Sequence, residues 1–212
     1  MITRRWAAVA CVGVAALMFT LGAATRPLLV ADSPDPSPVL TSIEIGFAQD
    51  MLAHHTQALI MVSRLDPGAD PAVLGLARRL EDTQRGEIGQ MQGWLRLAGA
   101  PLVNPDPMAW MHEAPPSADH HAVPEPQRQQ SATMPGMATQ ADLDALSAAR
   151  GRDASVLFLQ LMRRHHLGGV AMAQSADQLI TGGVVEQAAR DMGSSQGQEI
   201  GLMGLLLSSV QS

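Results

Sequence analysis

Apolar and polar positions along this chain fall into helical rows, and the rows come in two copies. Within residues 47–65, Phe47, Met51, His54, Ala58, Met61 and Leu65 follow alternating steps of four and three, which places them on one helix face. Within residues 158–176, Phe158, Met162, His165, Gly169, Met172 and Ala176 repeat the pattern. Phe47/Phe158, Gln49/Gln160, Met51/Met162, His54/His165, His55/His166 and Met61/Met172 all match at an offset of 111. A second row follows each copy: Leu80, Gln84, Glu87, Met91 and Leu95 in one half, Met192, Gln196, Glu199, Met203 and Leu206 in the other. This second match has an offset of 112, so the second connecting turn holds one extra residue. The pattern predicts an all-α fold of four long helices, built from two duplicated hairpins with an approximate internal twofold.

Local signals set the expected boundaries. Thr41-Ser-Ile-Glu44 reads as a capping box opening the first helix, and Pro67-Gly68 stops it at about Asp66. Asp70 caps and Pro71 opens the second helix, which runs to Ala98 before Gly99. Residues 100–138 are interrupted by prolines, which forbid regular helix and predict a long crossover between the hairpins. A short helix is expected from Thr139 to about Ala149, a third long helix over Ala154–Ile180 capped by Asp153, and a fourth from Val184 to about Ser208 after Gly182-Gly183. The bundle thus occupies 41–208, behind a Pro-, Ser- and Asp-rich flexible linker at 27–40.

Composition adds location. Arg4 and Arg5 precede the apolar run Trp6–Ala24, and Arg26 closes it, so residues 1–26 read as an export signal or a single membrane anchor. The bundle is therefore expected outside the cytoplasm, held to a membrane if the leader stays uncut. The lone Cys11 lies in that run, which leaves the exported part without a disulfide or thiolate. The formal net charge of −6 and the absence of Lys argue against a nucleic-acid partner.

The candidate chemistry lies in the doubled rows, where two His, two Gln, two Glu and, at matched positions, six Met face a common core. Buried imidazole and carboxylate need partners. One possibility is that His54 with Glu87 and His165 with Glu199 satisfy each other inside the bundle. The other is metal binding. Imidazole plus thioether, without Cys, is a ligand set for Cu(I), and less well for Cu(II) or Zn(II). Adjacent helical residues point about 100° apart, so His54 and His165 are assigned inwards. His55 and His166 then face a helix groove or the rim, as second ligands near Met51 and Met162 or exposed. Asp50 lies one turn before His54 and could orient it, although its counterpart is Leu161. Arg163 and Arg164 should face solvent. The crossover carries Met108, Met111, His112, His120, His121, Met134 and Met137, either as biased composition or as an auxiliary tract for soft metal ions. A di-iron carboxylate site would need Glu-x-x-His motifs, and none occurs. No nucleophile–base pairing or phosphate loop is present, so no enzymatic activity is expected.

The doubled Phe-x3-Met-x2-His-His-x5-Met and Gln-x2-Glu-Ile-x2-Met patterns, with Met134-Pro-Gly-Met137 between the copies, resemble the DUF305 family. The resemblance covers about 41–208. It implies a ferritin-like four-helix bundle outside the cytoplasm and copper or silver handling, as in periplasmic copper-binding proteins of the CopM type. It nominates Met51, His54, His55, Met61 and Glu87 in one half, and Met162, His165, His166, Met172 and Glu199 in the other, as metal-site residues. The expectation is an exported copper-ion-binding protein. The alternative is a metal-free structural or interaction module of the cell envelope.

Overall fold

The computed structural model describes residues 17–18, 38–112 and 134–212. The expected leader and most of the linker lie outside these residues, as do His120 and His121. The chain divides into Met1–Pro38 and Val39–Ser212, and the second unit carries all the chemistry discussed below. No helix among the described residues is long and apolar enough to cross a membrane.

Val39–Ser212 is all-α among its described residues. The helices are α1 (Ser42–Arg64), α2 (Pro71–Leu97), the short α3 (Gln140–Ala148), α4 (Gly151–Leu179) and α5 (Gly183–Gln211). Thr41 closes the expected capping box with Glu44, and Asp70 accepts from the amides of Ala72 and Val73 at the start of α2. The third long helix departs from expectation. It begins at Gly151, three residues early, and Asp153 lies in its first turn instead of capping it. Its cap comes from the other hairpin: Asp66 Oδ2 accepts from Gly151 N at 2.8 Å. Ser155 Oγ returns the contact by accepting from Asp70 N at 2.9 Å, which ties the α1–α2 turn to the start of α4.

α1 packs on both α2 and α4, and α4 packs on both α1 and α5. The two inner helices are therefore buried over a wide arc. The core is divided. One apolar cluster holds Phe47, Met51, Met91, Met172 and Met192; the other holds Met61, Leu80, Phe158, Met162 and Met203. On each long helix the break between clusters falls at polar residues: His54–His55, Gln84–Glu87, His165–His166 and Gln196–Glu199. A polar layer thus crosses the helices at mid-height. The internal twofold exchanges the apolar ends, since Met51, Met172 and Met91 lie on one side and their twins Met162, Met61 and Met203 on the other.

The crossover is more than a tether. After α2, residues 101–112 fold back on α1 and end in a 3-10 turn, Ala109–His112. Trp110 is buried there, edge-on to Phe47 with ring centroids 5.5 Å apart. Gly46 makes room for it, because a Cβ at that position would lie 2.9 Å from the indole. Before α3, Pro135-Gly136 crosses α4 so closely that a Cβ on Gly168 would fall 1.9 Å from Pro135 O. Gln57 holds this strap by both ends of its amide, donating to Ala138 O at 2.9 Å and accepting from Ala138 N at 2.6 Å.

Candidate metal centre

All four histidines of the polar layer are buried, at 0–1% exposure. His54 and His165 face inwards as expected. His55 and His166, expected in a groove or at the rim, are equally enclosed, because α1 and α4 each have two packed neighbours. The next position along each helix therefore meets a second partner instead of solvent.

That rotation also changes the pairing. Glu87 receives His55, not His54, with His55 Nε2 at 2.6 Å from Glu87 Oε2. Glu199 receives His166, not His165, at 2.9 Å. The two carboxylates are partly exposed, with side chains at 18% and 19%, so each dyad runs from near the surface to the interior. His54 Nε2 donates to Pro135 O at 3.1 Å, and His165 Nε2 donates to His54 O at 3.0 Å. The His54 and His165 rings stack across the α1–α4 seam, with centroids 3.7 Å apart and planes 26° from parallel.

These contacts fix the tautomers. A carbonyl or an ionised carboxylate only accepts, so each of the four rings has a proton on Nε2. Burial holds the two stacked rings neutral. It lowers His54 to about 3, helped by the nearby His55, and pushes His165 well below the ordinary imidazole range, helped by His54. In the neutral His54 and His165 rings so oriented, Nδ1 is a bare lone pair. All four Nδ1 atoms are buried without a hydrogen-bond partner, as are Gln84 Oε1 and Gln196 Nε2. The six residues form three twofold-related pairs, all in the polar layer. An unsatisfied buried polar atom costs roughly 1–3 kcal/mol.

The donor set fits a soft cation. An imidazole that ligates through one nitrogen commonly gives its other N–H to a carboxylate or carbonyl, which is the arrangement of all four rings. Met51, Met61, Met162 and Met172 are fully buried in the apolar clusters on either side of the layer. The geometry does not suit a cation that demands many hard ligands. No three His, Cys, Asp or Glu side chains among the described residues gather where they could hold a metal ion. Glu87 and Glu199 spend an oxygen on imidazole N–H, so they are placed to orient rings.

Other expectations move elsewhere. Asp50 does not orient His54. Its Oδ2 accepts from Asn104 Nδ2 at 3.1 Å, Met108 N at 2.7 Å and Trp110 Nε1 at 2.9 Å. Burial raises its pKa against those stabilising bonds. Gln49 anchors the same segment by donating to Pro101 O at 2.7 Å, whereas its sequence match Gln160 is exposed. Arg163 and Arg164 face solvent as expected, and Arg164 pairs with Asp142 of α3 at 2.7 Å. Of the crossover tract, Met108 is buried, His112 exposed, and Met111, Met134 and Met137 half-buried. Sequence reasoning placed Gln84 and Gln196 in the core rows but left them out of the site. Their unsatisfied amide atoms put them in it.

Comparison with known proteins agrees with the fold and the doubled motif. The family model "Domain of unknown function (DUF305)" matches residues 44–207. A crystal structure from Streptomyces coelicolor, provisionally described as a secreted DUF305 protein, is 38% identical. It covers 81% of this chain and 95% of its own, with a TM-score of 0.68. A DUF305 fragment from Deinococcus radiodurans is 31% identical over 80% of this chain and 97% of its own, with a TM-score of 0.62. No curated protein matches the chain. With its paired histidine helices inside the matched span, this chain belongs to the DUF305 family.

Proposed function

We propose that the polar layer binds a soft metal cation, Cu(I) in the first instance, and that the protein is a non-enzymatic metal-binding protein working outside the cytoplasm. The observation that carries this reading is the set of buried, unpartnered Nδ1 atoms on rings whose Nε2 protons are already committed. His55 and His166 would act through Nδ1 while Glu87 and Glu199 hold them in that tautomer. His54 and His165 would add their own lone pairs. Met51, Met61, Met162 and Met172 would supply thioethers from the flanking clusters, a donor type that selects Cu(I) over harder ions. The bound ion supplies positive charge to a site rich in lone pairs and poor in hydrogen-bond donors. Export is supported by the apolar leader behind Arg4 and Arg5 and by the description of the Streptomyces relative.

Titration of the full chain with Cu(I) under reducing conditions, with a chelator in competition, tests the reading. Sub-micromolar binding is expected, lost when His54, His55, His165 and His166 are together replaced by Gln. Binding that survives the quadruple change, or no binding to the native chain, overturns it.

A second reading is a metal-free structural module whose layer is filled by ordered water. It is favoured by one observation, that no three classical ligands converge among the described residues. Protein purified without metal, with unchanged melting temperature when Cu(I) is added, would favour it, because a ligand bound only to the native state must raise stability.

A further inference from the structure

The polar layer has a surface approach on one side. α2 and α5 do not pack closely on each other, and a cavity of about 320 Å³ opens between them. Glu87 and Gln90 of α2 line it, facing Gln187, Asp191 and Met192 of α5. Glu87 is the carboxylate that holds His55, so one wall of the cavity is joined to the buried ring by a single 2.6 Å hydrogen bond. Asp191 is exposed and accepts from Gln187 Nε2 at 2.9 Å. Met192 is 2% exposed and lines the same cavity. Two carboxylates and a buried thioether thus line the cavity, and Glu87 joins it to a buried imidazole.

The internal repeat supplies the contrast. At an offset of 112, Asp191 corresponds to Arg79, Met192 to Leu80, Gln187 to Gly75 and Gln90 to Leu202. Among the polar and thioether positions of the lining, only the Glu87/Glu199 pair keeps its chemistry. The twofold-related positions therefore present a guanidinium and aliphatic side chains where this cavity presents a carboxylate, amides and a thioether. A cation is attracted to the first and repelled from the second.

We propose that the cavity beside Glu87 is the port through which a soft cation reaches His55, and that loading of the two halves is therefore one-sided. The proposal rests on the reading that the polar layer binds such a cation. The ion arrives and stays in one oxidation state. It meets Glu87 and Asp191 first, then the Met192 sulfur, and passes inwards without any bond being made or broken in the protein.

The test uses Ag(I), a redox-inert probe of the same chemistry, with the full chain. Protein and silver are mixed, unbound ion is removed by a chelator after set intervals, and retained silver is measured. In the variant Asp191→Arg/Met192→Leu, which copies the other half, loading should slow by about tenfold or more, since charged clefts alter association rates on that scale. The equilibrium affinity should stay within about twofold of native, because neither residue lies in the layer. Arg79→Asp should leave loading at the native rate or faster. Unchanged loading in the double variant rejects the port while leaving the metal reading intact. Equal losses of rate and affinity also reject it, by making Asp191 and Met192 ligands. Failure of the native chain to retain silver removes the metal reading and the port together. Circular dichroism melts of both variants exclude misfolding as the cause.

Discussion

At the scale of residues, two buried groups carry most of the information, and they were legible to different degrees. The inward row of His54 and His165 could be read from spacing alone. The partners of His55 and His166 could not. One residue of helix rotation decides whether Glu87 meets position 54 or position 55, and that rotation depends on where α2 sits on α1. Asp50 was visible as a polar residue in an apolar context, but its partners lie 54–60 positions away in a proline-rich segment with no repeat to reveal them. It accepts three donors at once, so Asp50→Leu, the residue its twin Leu161 carries, should cost about 3 kcal/mol or more by leaving them unpaired. Urea unfolding measures the loss, and Trp110 fluorescence should report a more solvated indole. A change below about 1 kcal/mol would mean that the segment is held by packing alone. Gln84 and Gln196 were readable as core positions. Their lack of partners was not, because satisfaction is a property of three-dimensional surroundings.

At the scale of elements, the helices followed their signals closely and the connections did not. The capping box at Thr41, the Asp70-Pro71 start and the Gly182-Gly183 turn all lie where local chemistry placed them. The start of α4 moved because its cap, Asp66, comes from another hairpin, which a local rule cannot see. The proline-rich crossover excluded helix correctly, yet its described ends are packed parts of the core. The Met134–Met137 strap lies against Gly168 and presents Pro135 O to His54. Gly168→Ala should therefore force the strap or α4 to shift, at a cost of about 1–3 kcal/mol. Hydrogen exchange should rise at Ala138, whose amide is held by Gln57. Gly201→Ala, at a position where an added Cβ meets nothing within 4 Å, is the matched control and should not destabilise. Equal effects at both glycines would show that strap contact is not what makes Gly168 special.

At the scale of the whole molecule, duplication explains why a layer of unsatisfied nitrogen can persist in a helical core. Two copies of one hairpin bring the same polar rows to mid-height, and buried Met residues of both apolar clusters, six of them at matched positions, flank the layer on either side. The acid response of the metal-free chain follows from the same layer. His54 and His165 bind protons more weakly folded than unfolded, so the unfolded chain takes up more protons below the ordinary imidazole pKa of 6.5. Their contribution is complete above that pH and is lost as pH falls below it, for His54 down to about 3. The exposed carboxylate of Asp142, held low mainly by the Thr139 amide, acts in the same direction. Asp50, whose pKa is raised by burial, acts oppositely and favours the folded state as it gains its proton. Urea unfolding between about pH 7 and about pH 5 should show stability falling, and His54→Gln/His165→Gln should flatten the slope. A slope unaffected by that double change would place the acid sensitivity elsewhere. The central claim is that the buried Nδ1 lone pairs are the binding atoms. Long-range nitrogen–proton NMR of the histidine rings, with and without Ag(I), addresses it directly. The account predicts that His54, His55, His165 and His166 carry their protons on Nε2 in the metal-free chain, and that silver shifts the Nδ1 resonances of His55 and His166 while Nε2 stays protonated. Protons found on Nδ1, or Nδ1 resonances unmoved by excess silver, would contradict it.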